Sequence, residues 1–587
     1  MISAGGARMI NAGGASMISA GGASMIHLTE YLERTAALVP DRTAVIDGGA
    51  EIDFKTLAGR AKALSHAISD SVGGKTNAPV AVYMEKSIAC VASDLAVLYS
   101  GNAYMNLDVK APAQRIRNII GHIKPAAILT NNAHVDKIAE LAAVAQAADA
   151  GDAAQTAYAG EAAQAAAESV SEGKSGKNDE KCHSIFIINY DEIDFENCGD
   201  GCGEGAGESG DGEALTKRRL AGLISTDPSC IINTSGSTGT PKGVVLNHLS
   251  FFDFTEWAVD TLGIGDNEIV GSLSPTIFDI YSFELCMLMA RGSTMLVIPD
   301  SMSAFPVNIL SLMQKHKVSF IFWVPTIMVN IANMGLLEKI GLPDLKTVWF
   351  AGEIFPTRQL NIWRRSLPSA RFINLYGPIE ITLDCTYFVV DRDFDDGEPL
   401  PIGFPCRNTD ILILKEDGVQ AGVGEEGELC VRGASLAMGY YNDPEKTAAA
   451  FTQNPLNTAY PETIYRTGDV VQKNGRGEIM FKGRKDTLVK HLGYRIELGE
   501  IEHVAINALK LVKNGCAVYD ADNKEIAFYY EPLQDGVSAA GLRKVLSGVL
   551  PKYMIPTKYI RLDGMPMNPN GKIDRLRLKQ ALRDGEQ

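Results

Sequence analysis

Basic residues are in deficit in this chain. Lys and Arg number 55 against 71 Asp and Glu, for a formal net charge of -16 over 587 residues. That balance lacks the basic face of a bulk nucleic-acid binder and does not favour adhesion to an anionic membrane. No apolar run approaches the roughly 18 residues a membrane-crossing helix needs. Cysteine is sparse, with 10 residues and no CxxC pair. Cys198 and Cys202 flank a Gly-rich stretch, but two further ligands at matched spacing are missing, which excludes a structural zinc site. Scattered cysteines in apolar surroundings read as reduced, buried thiols of a cytoplasmic protein. Charged residues make up only 21% and hydrophobic residues 46%. That is globular and excludes a wholly disordered chain. At roughly 150 residues per domain, the length suggests about four domain-sized units.

Residues 1–24 are three copies of an octapeptide, MISAGGAR, MINAGGAS and MISAGGAS. The period is too short, and the apolar surface too small, for a solenoid. The basic start and continuous apolar stretch of a signal peptide are missing. Disorder is expected here. Gly-Gly codons just before each Met codon could spell a ribosome-binding sequence, so Met25 is expected to be the working start. Ordinary texture follows: TAVID (43–47), FKTLAGRAKALSHAI (54–68), PVAVYM (79–84) and AAILT (126–130) alternate strand and helix patterns, which predicts α/β layers. A low-complexity insertion spans about 137–216. Its alanine-rich part, 139–167, predicts a solvent-facing, weakly packed helix. IFIINYDEI (185–193) predicts a strand, and the Gly-rich acidic stretch 198–213 a flexible loop. After Cys230 apolar runs are dense. Composition shifts again near KGRKDTLVK (482–490), and the last hundred residues predict a small α+β unit.

Thr234-Ser235-Gly236-Ser237-Thr238-Gly239-Thr240-Pro241-Lys242-Gly243 directly follows the strand-like CIIN. Glycines let a backbone approach phosphate, hydroxyls and amides donate to its oxygens, and one lysine adds charge. The spacing is not that of a Walker A loop. This segment resembles the phosphate loop of the adenylate-forming enzymes: acyl-CoA synthetases, luciferases and the adenylation domains of non-ribosomal peptide synthetases. Further motifs resemble that family in order, over roughly residues 25–580. They are LYSGNAYMNLD (98–108), Asn374-Leu375-Tyr376-Gly377-Pro378-Ile379-Glu380, GELCVRGASLAMGYYNDPEKT (427–447) and Tyr465-Arg466-Thr467-Gly468-Asp469. After these come Gly483-Arg484-Lys485-Asp486 with Val489-Lys490 and GYRIELGEIE (493–502), then LPKYMIP (550–556) and Asn570-Gly571-Lys572-Ile573-Asp574-Arg575.

The resemblance implies an α/β and α+β architecture. A large N-terminal adenylate-forming domain of layered sheets and helices (25–485) would carry a small mobile α+β domain (486–587), with Asp486 as hinge. It implies ATP and Mg²⁺ as cofactors. Thr234, Ser235, Gly236, Ser237, Thr238, Gly239 and Lys242 would hold the β- and γ-phosphates, and Glu380 would ligate Mg²⁺. Tyr376 would stack on adenine beside Asn374 and Gly377. Asp469 would take the ribose hydroxyls, assisted by Arg484. Lys572 would bridge the substrate carboxylate and the α-phosphate, where two anions must meet.

Phe278-Asp279 resembles a block of the amino-acid-activating members, in which the aspartate meets the α-ammonium. A buried carboxylate needs a cationic partner, which a fatty or aryl acid lacks; the bland alternative is a helix N-cap. The resemblance aligns Ile280, Phe283, Phe322, Trp349, Ala351, Leu375, Leu383 and Asp384 with the side-chain pocket. Bulky lining implies a small amino acid, and Asp384 would bind a hydroxyl or amine on it or face water. No carrier domain follows Lys572, so a free-standing enzyme resembling the D-alanine–carrier-protein ligases is expected. It would load the phosphopantetheine thiol of a separate carrier protein, with coenzyme A as the other acceptor. Lys217-Arg218-Arg219 and Arg364-Arg365 are the candidate basic patches for an acidic carrier. One departure stands out: the family usually has Thr where this chain has Ile379, which removes a hydroxyl near the α-phosphate. An acyl-CoA ligase and a weakly catalytic nucleotide-binding protein are the alternatives.

Overall fold

The computed structural model describes residues 25–149, 185–195, 211–235, 241–485, 488–533, 537–567 and 573–584. The octapeptide repeat, the Gly-rich acidic loop and most of the insertion lie outside these. Two large sheets dominate. One has seven strands in the order Gly439–Tyr440, Lys242–Asn247, Pro228–Thr234, Ala103–Asn106, Pro79–Tyr83, Ala127–Thr130 and Phe186–Asn189. The other has nine strands. Its parallel core is Arg371–Tyr376, Thr347–Phe350, Phe320–Trp323, Ile269–Ser272, Thr294–Val297 and Thr43–Asp47, with antiparallel strands at both edges. The inner strands are buried on both faces, which is why they read as continuous apolar runs rather than alternating ones.

Helices fill the space between the two sheets. Ile88–Tyr99 and Asp279–Arg291 are buried almost all round. They join Val45, Phe322 and Trp349 of the nine-stranded sheet to Val80, Leu129 and Ile232 of the seven-stranded one in a single core. Side-chain caps set the starts of neighbouring helices: Asp53 accepts from the Thr56 amide, Ser87 from Cys90 and Asn247 from Ser250. The thiols of Cys90, Cys230, Cys286, Cys385, Cys406, Cys430 and Cys516 are free and buried. Among the described residues no helix is long and apolar enough to cross a membrane.

Expectations for the insertion are corrected. The alanine-rich helix begins earlier, at Val135–Asp149, and is not weakly packed at its start. Ile138, Leu141, Ala142 and Ala145 are buried against the seven-stranded sheet. Their i, i+3, i+4, i+7 spacing makes one apolar stripe. The pattern and the elements agree at Thr43–Asp47, Phe54–Ser71 and Pro79–Tyr83, but the strand expected over 185–193 is only Phe186–Asn189, followed by a 3₁₀ turn, and the helix Asp211–Leu220 begins within the loop expected over 198–213.

Beyond Arg484 come a two-stranded hairpin, Leu488–His491 with Tyr494–Glu497, and a three-stranded sheet, Val512–Asp520, Glu525–Pro532 and Lys558–Arg561. The helix Leu498–His503, which continues as a π turn through Ala508, packs with Leu542, Leu546 and Phe528 in a separate apolar cluster.

A close approach shapes the ground beneath the site. The strand Arg371–Tyr376 ends at Gly377, where an added Cβ would lie 2.2 Å from the Leu383 carbonyl oxygen and 2.5 Å from the Asp384 Cα. The chain returns through Thr382 and Leu383, both left-handed at φ 53° and 69°. Gly377→Ala must push these backbones apart, so we expect a stability loss of about 1–3 kcal/mol. A lowered urea midpoint would register it; an unchanged midpoint would mean that the two segments are not packed this tightly.

Candidate active site

Thr234 and Lys242 face each other across the antiparallel strands on either side of the phosphate-loop motif. Gly236, Ser237, Thr238 and Gly239 lie outside the described residues, as do Asp486 and Lys572. The hairpin Leu488–His491/Tyr494–Glu497 packs against Ser235 and Lys242, which flank those loop residues. Ser235 Oγ donates to the Arg495 carbonyl at 2.8 Å and accepts from the Glu497 amide at 3.1 Å. Lys242 Nζ pairs with Glu497 at 2.7 Å and sits 5.2 Å over the Tyr440 ring.

Glu380 is 0% exposed, on the short helical turn that follows Gly377-Pro378. Arg495 donates to its Oε2 at 2.5 Å, and the Tyr440 hydroxyl to its Oε1 at 2.9 Å. Burial alone would raise its pKa; the Arg495 guanidinium outweighs burial and holds the carboxyl at about 2. Among the described residues no cluster of three or more His, Cys, Asp or Glu could hold a metal. A single ionised carboxylate does suit Mg²⁺, which fills its shell with phosphate oxygens and water. Glu380 therefore fits on chemistry, although here Arg495 and Tyr440 take its oxygens. Ile379, half-buried, packs against the large core, so its side chain has a structural role where a hydroxyl was expected.

The nucleotide-side residues also meet. The Tyr376 hydroxyl donates to Asp469, whose other oxygen pairs with Arg484 directly across the antiparallel strands. Arg484 also donates to the Thr467 carbonyl at 3.0 Å, and Asn374 to the Pro401 carbonyl at 2.8 Å. Tyr376 thus packs with Ile381, Leu429 and Val471 rather than standing free.

Ile280, Phe283, Phe322, Trp349, Ala351, Leu375 and Leu383 all fall in the large core and are buried. Phe283 stacks on Trp349 at 5.3 Å, and Phe322 meets Trp349 edge-on at 5.6 Å. Asp279 is the first residue of its helix, with Phe278 at the N-cap, so the N-cap reading of the aspartate is not realised. Its carboxylate accepts from the Ile280 amide at 2.9 Å, and burial raises its pKa to about 6. Asp384 is buried, and its pKa is driven well up by burial and by the charge of Asp279.

Three hairpin residues belong here that were not singled out from the sequence as site residues: Lys490, Arg495 and Glu497. Lys490 lies deep among Asp469, Asp384 and Asp279, and burial lowers its pKa. The signal for them was Val489-Lys490 with GYRIELGEIE, which the resemblance marked only as part of the hinge block. Glu353 was also missed; it accepts from the Gly493 amide at 2.7 Å and anchors the hairpin turn. Beside the hairpin lies a cavity of about 360 Å³ lined by Lys86, Asp108, Ser274, Phe278, Trp323 and Tyr494. The flank of Lys572 packs elsewhere: Ile573 lies with Cys516, Tyr529 and Leu578 on the three-stranded sheet.

The model of one protein family, the AMP-binding enzymes, matches residues 32–441. An L-proline–[L-prolyl-carrier protein] ligase of Streptomyces coelicolor is 29% identical over 515 residues, covering 86% of this chain and 88% of that protein. A D-alanine–D-alanyl carrier protein ligase of Bacillus cereus is 28% identical, covering 94% of this chain and 98% of its own. The Vibrio cholerae adenylation domain AlmE, solved with glycyl-adenosine-5′-phosphate, shares the fold with a TM-score of 0.75 at 19% identity, covering 96% of this chain and 99% of its own.

Arg495→Ala would strip the counter-charge from Glu380. Losing a buried pair costs about 3–5 kcal/mol, so the docked hairpin should open more often. Amide exchange across residues 488–497 is expected to speed up by about 100-fold or more, at one decade per 1.4 kcal/mol. Unchanged exchange there would mean that the pair does not hold the hairpin.

Proposed function

Because this chain belongs to the AMP-binding enzyme family, we propose that it activates a small amino acid with ATP and passes it to a carrier protein. The observation that carries this reading is Asp279. Its carboxylate heads a helix buried between two sheets, beside an aromatic-lined pocket, and makes no ion pair with any described residue. An α-ammonium is the natural partner for such a group. The relatives named for proline and D-alanine carrier-protein ligation are of similar length and support the same class.

In the first half-reaction a substrate carboxylate oxygen attacks the α-phosphorus of ATP and the bond to pyrophosphate breaks. Lys242, Ser235 and the motif between them would receive the β- and γ-phosphates. Asp469, oriented by Tyr376 and Arg484, would receive the ribose. Mg²⁺, held by Glu380 with phosphate oxygens, would offset the charge gathered at the reacting centre. Lys572 would supply a cation between the carboxylate and the α-phosphate. In the second half-reaction a thiol attacks the acyl carbon and AMP leaves. Rotation about Asp486 would exchange the Lys572 segment for the hairpin, and the docked hairpin would belong to the second arrangement.

The acceptor reading follows from charge. The cavity beside the hairpin is lined by Glu85, Asp108 and Asp300, while Lys110 is committed to Asp300 at 2.8 Å and Lys86 to backbone carbonyls. The uncharged pantetheine part of a carrier's arm suits that lining. The polyanionic nucleotide of coenzyme A does not.

Pyrophosphate exchange across L- and D-amino acids and short fatty acids tests the proposal. Exchange with a small amino acid is expected, and a preference for a fatty or aryl acid would overturn it. Asp279→Ala leaves a cation without its partner, about 3–5 kcal/mol, so the amino-acid KM should rise by two to three orders of magnitude, at about tenfold per 1.4 kcal/mol. The KM for ATP should hardly move; a parallel rise in both would place Asp279 outside amino-acid recognition. The pH profile gives a further check. Asp279 binds an ammonium only when ionised, and its pKa is near 6. The amino-acid KM should be flat above pH 7 and climb about tenfold per pH unit below 6. A KM independent of pH from 5 to 8 would contradict this.

A further inference from the structure

The helix Asp279–Arg291 is held by different forces along its length. From Leu285 to Ala290 its side chains are apolar and buried. The two turns that follow Asp279 instead make three buried polar contacts. The Tyr281 hydroxyl donates to Asp94 Oδ2 at 2.7 Å, and the Tyr104 hydroxyl to Ser282 Oγ at 2.8 Å. Ser272 Oγ donates to Glu284 Oε2 at 2.5 Å. Asp94, on the helix Ile88–Tyr99, and Tyr281 are both 0% exposed. Asn106, on the seven-stranded sheet, donates to the same Asp94 oxygen at 3.2 Å. Asp94 Oδ1 has no hydrogen-bond partner among the described residues, so the carboxyl is used through one oxygen.

Apolar burial is non-directional, whereas a hydrogen bond fixes distance and angle. At about 100° per residue, Tyr281 leaves the helix about 200° round from Asp279. A rotation of the first turn that moves the Asp279 carboxylate therefore moves the Tyr281 hydroxyl on the other side, and strains its bond to Asp94. Asn106 holds the Asp94 carboxyl from the sheet, so the anchor point is itself fixed. Asp94 Oδ2 accepts from Tyr281 whether the carboxyl is ionised or not. The anchor thus does not depend on a buried charge.

We propose that Asp94, acting through Tyr281, is a positioning residue for amino-acid recognition: it sets the orientation in which Asp279 meets the α-ammonium. The inference rests on the amino-acid reading above and adds to it a pair of residues outside the candidate pocket. Asp94 acts on the substrate only through the helix, so its loss should be felt in amino-acid binding and not in nucleotide binding.

The test is pyrophosphate exchange by the full chain with the small amino acid that the wild type takes best, read as separate KM values for amino acid and ATP, beside a urea midpoint. Tyr281→Phe should raise the amino-acid KM by about tenfold, the loss of one buried hydrogen bond passed on to the site, and leave the KM for ATP unmoved. Asp94→Leu should do the same. Asp94→Asn, whose amide oxygen still accepts from Tyr281, should restore most of the loss. A lowered urea midpoint with the amino-acid KM unmoved is what a merely structural contact gives; it would overturn the proposal and leave amino-acid activation standing. A rise in both KM values together, or equal losses in Asp94→Asn and Asp94→Leu, would also overturn it. Activation of fatty or aryl acids only would overturn both readings. Tyr281→Phe removes a single oxygen, so the comparison stands even if the Asp94 variants fold poorly.

Discussion

Buried negative charge must be matched, and that requirement organises this protein. Glu380, Asp469 and Asp384 are almost wholly buried, with Asp279 beside them at the head of its helix. Each would shed its charge in a medium of low dielectric unless a cation stands near. Asp469 has Arg484 as its cross-strand neighbour within one sheet. Glu380 takes its cation from 115 residues away, on the hairpin. The first match is built into a rigid sheet; the second exists only while the hairpin is docked. Docking is therefore written in charge, with Lys242–Glu497 repeating it in the opposite sense.

The scaffold makes such an arrangement tolerable. Two sheets with helices buried between them supply far more apolar contact than the polar crevice forfeits. The site lies along the edge of that core: Asp279 at the head of one buried helix, the phosphate loop at a strand end, and Glu380 on the turn that Gly377 permits. Phe283, Phe322 and Trp349 are buried and packed on one another in that core.

Much of this was legible in the linear chain because the informative features are local. The apolar strands between turn signals, the Ser/Gly/Thr loop before Lys242 and the aspartate after Phe278 each carry their chemistry within about ten residues. What was not legible is convergence. Arg495, Glu497 and Lys490 belong to a stretch that the resemblance marked only as the hinge block, and nothing nearby names Glu380 or Lys242 as partners of Arg495 and Glu497. Lys242 and Glu497 are 255 residues apart. The alanine-rich helix was a different failure. The spacing of Ile138, Leu141, Ala142 and Ala145 already described a buried stripe, but low-complexity composition outweighed it. Ile379 looked like a lost hydroxyl because only its chemistry was weighed; its packing against the core supplies the reason for an apolar side chain there.

The docked hairpin occupies Ser235, Lys242 and Glu380, so on the proposed function ATP with Mg²⁺ would have to compete with it for them. Hydrogen exchange of residues 488–497, with and without Mg²⁺ and a non-hydrolysable ATP analogue, tests this most directly. Nucleotide should displace the hairpin and make its amides exchange faster while the sheets flanking Thr234 and Lys242 become more protected. Slower or unchanged exchange in the hairpin would contradict the claim, because nucleotide and hairpin would then occupy their places together.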